Sequence, residues 1–318
     1  MLPPRTMFTT SGTTGCPVEW WRTREQLLAE ATMLVGVLEV GQADVVVTAA
    51  PQHHLYGFLA GHLVPTLADL PVIRWNPTEP FPAARRPLVV TVPASWWALA
   101  RSLPSLSKLE HLALVHSTAY LPPLATRVCR ALPEVTLTEL HGSTETGLVG
   151  VRRACDSEVG DARRPFELAA DVSLAPGMPV NRLSRLAVVS PRLASSGARS
   201  APDHHELDDL VEVTGPRSYR MMGSRTRLVK VNGRRVDLDV VENTLRAEVP
   251  GADLNCIVVR EEIRGEWYDI VVTDASHQQR VAAAARRALA PADAPRTVRR
   301  ASGRWAGARD LPLTGVTP

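Results

Sequence analysis

Residues Phe8–Gly15 read FTTSGTTG, the end of an apolar strand running into a loop of glycines and hydroxyl side chains. Glycines let a ligand approach the backbone closely, and Ser11, Thr13 and Thr14 add hydroxyl donors. Thr10, Ser11, Gly12, Thr13, Thr14 and Gly15 therefore form a loop suited to wrapping a polyphosphate. The Gly-Lys-Ser/Thr ending of a Walker A loop is absent, and a plain polar turn is the other reading of these residues. Just downstream, Thr23 and Gln26 have capping-box spacing ahead of Leu27, Leu28 and Ala31, which predicts a helix beginning at Thr23.

Beyond that helix, short β-branched apolar runs recur at Val45–Thr48, Val72–Trp75, Leu88–Val92, Leu112–Val115 and Val135–Leu140. Helical stretches fall between several of them, around Trp96–Arg101 and Leu124–Leu132, so strands alternate with helices as in a layered α/β domain. From about Asp156 to Pro202 the chain is richer in Pro, Arg and Ser, with one clear strand at Leu186–Ser190. A second unit is expected from Gly223. Arg227–Val231, the turn dipeptide Asn232-Gly233 and Arg234–Leu238 read as a hairpin. A helix over Leu238–Glu248, strands at Cys256–Arg260 and Trp267–Val272, and a helix over Gln278–Leu289 complete a small α+β domain. The expected division is 1–222 and 223–318.

A chain of 318 residues exceeds the size at which one core stops growing, which also favours two domains. Membrane spanning is not expected, because no uncharged apolar run reaches about 18 residues. Met1–Thr6 has no signal-peptide core, so a cytoplasmic protein is expected. The net charge is only +3, without arginines interleaved with aromatics, so no nucleic-acid partner is expected. Cys16, Cys129, Cys155 and Cys256 show no paired spacing. Of 36 basic residues two are lysines, Lys108 and Lys230, which restricts any lysine-dependent mechanism to these positions. His53, His54 and His62 read as pocket or core histidines rather than metal ligands, and no G-x-S-x-G nucleophile elbow occurs.

FTTSGTTGCP resembles the phosphate-loop signature of the AMP-forming adenylating enzymes: acyl-CoA synthetases, aryl-CoA ligases, adenylation domains and luciferase. Four further stretches follow in that family's order. PQHHLYG at Pro51–Gly57 resembles its P-x-x-H-x-x-G segment, and HGSTE at His141–Glu145 resembles Y-G-x-T-E. LDDL at Leu207–Leu210 stands for T-G-D-L, and GSRTRLVKVNGRRV at Gly223–Val236 resembles the hinge and hairpin, with Glu242 following. The resemblance implies a truncated adenylating-enzyme large domain, layered α/β, followed by a mobile α+β lid.

It also implies roles. His54 would stand beside the acyl pocket, with Tyr56, Trp96, Ser117 and Thr118 as further candidates for its wall. The ring of His141 would stack on adenine, with Gly142 beside it. Thr144 would contact phosphate, Glu145 would hold Mg2+, and Asp209 would accept from the ribose hydroxyls. Lys230 would face the site in the second step. Outside that family context, Thr144 and Glu145 read better as a helix cap and Asp209 as a loop carboxylate, and Lys230 reads equally as a solvated hairpin residue.

Departures from the pattern shape the functional expectation. The chain opens at the phosphate loop. Val18 replaces the lysine that follows the loop's proline, Ser117-Thr118-Ala119 replaces Gly-Gly-Ala, and Ser224 and Thr226 replace the hinge Arg and Asp. LPLTGVTP at Leu311–Pro318 carries no lysine where P-x-x-x-x-G-K is expected. A preorganised cation matters by about two to three powers of ten in rate, so the adenylation step is expected to be impaired. The expected function is an acyl- or aryl-acid AMP-dependent ligase of bacterial biosynthesis, using ATP or AMP with Mg2+. It would pass the acyl group to CoA or the phosphopantetheine thiol of an acyl carrier protein. Two alternatives stay open: a different reaction on an activated or carrier-bound acyl group, or a non-catalytic scaffold. A homodimer or a complex with a second ligase subunit is expected, to cover the face of the absent N-terminal subdomain.

Overall fold

The strands Val45–Thr48 and Pro87–Val90 are buried along their whole length, as strands covered on both faces must be. The computed structural model describes residues 2–11, 17–117, 121, 123–155, 164–197, 200–224, 228–231, 234–261, 265–272 and 274–300. They fall into two compact units, Met1–Arg227 with Arg260–Gly265, and Leu228–Val259 with Glu266–Pro318.

In the first unit, Val72–Arg74, Val45–Thr48, Pro87–Val90, Leu112–His116 and Val135–Ser143 pair in parallel, in that order. Parallel neighbours need crossovers, and helices within Leu55–Leu67, Pro93–Arg101 and Pro123–Arg130 supply them. The period-two alternation of a strand separates two cores. Val46, Leu88, Val90 and Val115 join Leu27, Ala31, Leu34 and Leu59 on one side. Val45, Val47, Val89 and Leu114 join Trp96, Leu99 and Val128 on the other.

At the turn after Ser143 the sheet changes character. Val135–Ser143 pairs antiparallel with Gly147–Cys155, and Phe166–Leu168, Ser218–Ser224, His205–Gly215, Leu183–Val189 and Ser173–Leu174 follow, making eleven strands among the described residues. Most of this half was not expected from the sequence. In His205–Gly215 only Leu207, Val211 and Val213 are buried, with half-exposed polar residues between them, so no continuous apolar run marks the strand. One-sided antiparallel strands have this pattern.

A separate small sheet pairs Arg5–Ser11 with Pro17–Thr23 as a hairpin, and Ser195–Ser196 adds to it opposite Trp20 and Trp21. The expected helix start is present. Thr23 Oγ1 accepts from the Gln26 backbone at 3.2 Å and Gln26 Oε1 from that of Thr23 at 3.0 Å, starting the helix Arg24–Val37. Gln26 Nε2 also donates to the carbonyls of Pro191 and Leu193.

In the second unit, Leu228–Val231 pairs antiparallel with Arg234–Asp237, the turn at 232–233 lying outside the described residues. Helices Leu238–Glu248 and Ala275–Ala288 pack with a three-stranded sheet of Leu254–Glu261, Gly265–Val272 and Thr297–Arg300 around Val231, Leu245, Ile270 and Val281. Among the described residues no helix is long and apolar enough to cross a membrane. Because the Thr23 hydroxyl accepts one of the two capping-box bonds, Thr23→Ala should lower stability by about 1 kcal/mol, read as a shifted denaturation midpoint at unchanged slope.

Candidate functional site

Ligands of open α/β sheets bind beyond the carboxyl ends of the parallel strands. Here those ends are followed by Ala49-Ala50, Thr91-Val92, Ser117 and the turn Thr144–Thr146. The turn is held from within: Ser143 N donates to Thr146 Oγ1 at 3.1 Å, and Thr146 N to Ser143 Oγ at 3.2 Å.

Below the turn lies a buried set of charges that the sequence reading missed. Arg22 is fully buried at the end of the hairpin; its Nε and Nη2 donate to the Thr144 carbonyl at 3.3 and 3.0 Å, and its Nη1 to the Arg192 carbonyl at 2.7 Å. Glu30 Oε2 stands 3.3 Å from Nη1 of both Arg22 and Arg192, while Oε1 accepts from Leu148 N at 2.6 Å. Arg192 makes a two-point contact with Asp171 at 2.7 and 2.8 Å and donates to the Leu148 carbonyl. Ala194 N donates to the Glu145 carbonyl at 2.8 Å. The turn is thus fixed by the hairpin, the first helix and the 190–196 segment together.

The electrostatics follow from burial. Removal from water pulls the Arg22 pKa below its ordinary value, with Glu30 opposing that. Burial also works to raise Asp171, yet its bonds to Arg192 outweigh this and hold it below the usual carboxylate range. Gly147 has φ +71°, and a Cβ there would lie 2.4 Å from Glu30 Oε2, so the carboxylate can enter only beside a glycine. One signal was readable: Glu30 sits at i+3 from Leu27 and i−4 from Leu34, on the buried stripe of its helix.

The expected site residues are placed as follows. Thr10 ends on the hairpin, where its Oγ1 accepts from Trp20 Nε1 at 3.0 Å, and Ser11 closes that strand. Gly12, Thr13, Thr14, Gly15 and Thr118 lie outside the described residues. Glu145 has one buried side-chain oxygen, Oε2, without a hydrogen-bond partner among the described residues. His141 and Gly142 end the strand before the turn, and His141 Nε2 lies 3.2 Å from Asp209 Oδ2. His54 is the exposed residue preceding the helix Leu55–Phe58, its ring 4.3 Å from that of His53. Tyr56 Oη donates to the Val115 carbonyl at 2.8 Å, just before Ser117, and burial pushes its phenol far above its ordinary pKa. Trp96 is fully buried in the core, with Nε1 3.3 Å from His116 Nδ1. Lys230 belongs to the second unit, half-buried, with its backbone N–H donating to Glu266.

Arg22 thus ties the hairpin to the Thr144–Glu145 turn, and three residues before that turn His141 meets Asp209, which brings these residues to one edge of the sheet. A cavity of about 180 Å³ lies at the other end of the strands, lined among others by Arg86, His111 and Thr136, and contains none of these residues. Among the described residues no three His, Cys, Asp or Glu side chains gather around a common centre. The Glu145 oxygen without a hydrogen-bond partner among the described residues is the donor type a hard cation takes, the rest of its ligands coming from water and substrate phosphates.

A sheet half parallel and half antiparallel, with the T-E turn at its junction and a hairpin beside it, defines the adenylating-enzyme fold. In sequence and fold the chain resembles the AMP-forming adenylating-enzyme superfamily. No protein-family model matches it. It is 28% identical over 255 residues to a 4-coumarate–CoA ligase of Rhodobacter capsulatus, covering 78% of this chain and 58% of that protein. The chain thus spans less than two thirds of that relative's length. A malonyl-CoA ligase in a ternary product complex with methylmalonyl-CoA and AMP has a TM-score of 0.66 at 22% identity, covering 94% of this chain and 71% of that one. An amide bond synthetase from Marinactinospora thermotolerans also reaches 0.66, at 19% identity, over 97% and 66% of the two chains. At these identities the structures establish the fold.

Two outcomes follow from the buried charges. Glu30→Ala leaves two guanidinium groups facing each other and should cost about 3–5 kcal/mol in chemical denaturation, whereas replacing Arg22, Glu30 and Arg192 together by apolar residues should cost far less. A carboxylate held low in the folded state stabilises above its unfolded pKa of about 3.9, and that contribution is lost as pH falls. Stability measured from about pH 6 downward should accordingly fall less steeply for Asp171→Asn than for the wild type.

Proposed function

We propose that this chain handles an acyl- or aryl-adenylate and transfers its acyl group to a thiol, as an AMP-dependent acid–thiol ligase-like enzyme. The observation that carries this reading is the Thr144–Thr146 turn, clamped to the hairpin by Arg22 and holding Glu145 with a buried oxygen that has no hydrogen-bond partner among the described residues. In the full reaction a carboxylate attacks the α-phosphorus of ATP and pyrophosphate leaves. A thiol then attacks the acyl carbon of the adenylate and AMP leaves, giving the thioester.

Thr144 would meet phosphate, Glu145 would hold Mg2+, and Asp209 would hold the ribose. Bound Mg2+ would supply charge neutralisation at the phosphates. His54, Tyr56 and Ser117 would border the acyl group. The 4-coumarate named for the relative supports an aryl acid as substrate. Lys230, on the hairpin of the second unit, is assigned to the thiol-consuming step, with CoA or a carrier-protein pantetheine as acceptor. Val18, where the family's phosphate loop carries a lysine, supports an adenylation step that is impaired.

Calorimetric titration with ATP, AMP and non-hydrolysable acyl-AMP mimics, one aliphatic and one aromatic, each with Mg2+, tests the reading. AMP and the aromatic mimic should bind, with little exchange of pyrophosphate into ATP. Lys230→Ala should slow thioester formation from preformed adenylate by about a hundredfold while leaving mimic affinity unchanged. Absence of binding by every nucleotide would overturn the assignment.

A further inference from the structure

We infer that His141 is a positioning residue for Asp209, held in that role by Tyr219, so that this chain orients its ribose-binding carboxylate through a three-residue relay. The inference rests on the nucleotide reading above, and it replaces adenine stacking as the work of residue 141.

The geometry is specific. Tyr219 Oη lies 2.6 Å from His141 Nδ1, and His141 Nε2 lies 3.2 Å from Asp209 Oδ2. Both ring nitrogens are engaged, and the ring is only 9% exposed. Phe166 and Tyr219 pack against it with centroids 5.7 and 5.6 Å away. These two aromatics stack on each other at 13°, and Arg152 caps Phe166 from 4.5 Å while its guanidinium grips Glu139 at 2.8 and 2.9 Å. A side chain framed in this way cannot swing out to offer its face to a base.

One arrangement of protons satisfies every contact of the relay. Tyr219 is fully buried, and burial, reinforced by the charge of Asp209, keeps its phenol protonated far beyond neutral pH. It therefore has one proton to donate, and Nδ1 is its acceptor. Nε2 then carries the ring proton and donates it to Asp209, so the neutral tautomer satisfies each contact.

The backbone is shaped for the same contacts. The strand holding His141 shifts register between His141 and Gly142, and the strand holding Asp209 shifts between Leu210 and Val211. Such bulges re-aim neighbouring side chains. Opposite His141 stands Gly150, where an added Cβ would meet Tyr219 Oη at 2.3 Å, so a glycine there is what lets the phenol reach the imidazole.

Ribose selectivity tests the relay. Full-length wild type should bind AMP more tightly than 2′,3′-dideoxy-AMP. Tyr219→Phe and His141→Leu should each weaken AMP by about tenfold while leaving the dideoxy nucleotide within about twofold, so that the preference collapses. His141→Gln retains an amide donor and should restore part of the preference. Equal weakening of both nucleotides would mean the triad serves folding alone, and an undiminished preference in folded variants would mean Asp209 needs no relay. Either result overturns the inference. Wild type that binds AMP without ribose preference also overturns it, leaving the nucleotide site intact, whereas wild type that binds neither nucleotide overturns the nucleotide reading itself.

Discussion

The contact of Arg22 with Glu30 and Arg192 is the constraint around which the first unit is arranged. Three charges, Arg22, Glu30 and Arg192, are withdrawn from water, with Asp171 at the exposed end, and their desolvation takes back much of what their attraction provides. Their value is therefore geometric. The hairpin, the first helix, the 190–196 segment and the turn at 144–147 each contribute a group that the others must satisfy, so none of them can shift alone without stranding a buried charge. A turn built this way holds Thr144 and Glu145 through their backbone carbonyls, which accept from Arg22 and from Ala194 N.

The same turn marks the junction of the two halves of the sheet. Parallel strands on one side bring their carboxyl ends to a common edge, and antiparallel strands on the other carry His141's partners, Asp209 and Tyr219, back to that edge. Parallel pairing alone would place loops around the site, and antiparallel pairing alone would place hairpins there. Joining them lets the end of one strand contact residues far along the chain, which is how His141 acquires both of its hydrogen-bond partners.

How much of this was legible in the sequence depends on the range of the interaction. The Thr23–Gln26 cap is local, and it is present as read. So are the parallel strands Val45–Thr48 and Pro87–Val90, because burial on both faces writes itself as uninterrupted valine and leucine. The helix Leu238–Glu248 agrees to the residue. The antiparallel half was largely missed, since one wet face breaks each apolar run with Glu, Asp and Arg. The buried ion network was missed for a different reason: Arg22 meets partners 122 and 170 residues away, and no local pattern records such a pairing. Likewise, HGSTE suggested a stacking ring at His141, whereas the residues that hold that ring stand 68 and 78 positions downstream.

The third strand of the small sheet, Ser195–Ser196, bears on how the chain comes to be folded. Trp21 precedes Ser195, in the strand that pairs with it, by 174 residues, and Arg22 precedes Arg192 by 170. Contacts of such separation form late, after shorter loops have closed. During synthesis the parallel strands can assemble from the ribosome outward, while the hairpin stays an uncompleted edge with an unneutralised guanidinium beside it. The corner at the Thr144–Thr146 turn accordingly closes only after residue 192 has been made, and a nascent chain interrupted before that point would hold the parallel strands without the contacts that fix the turn.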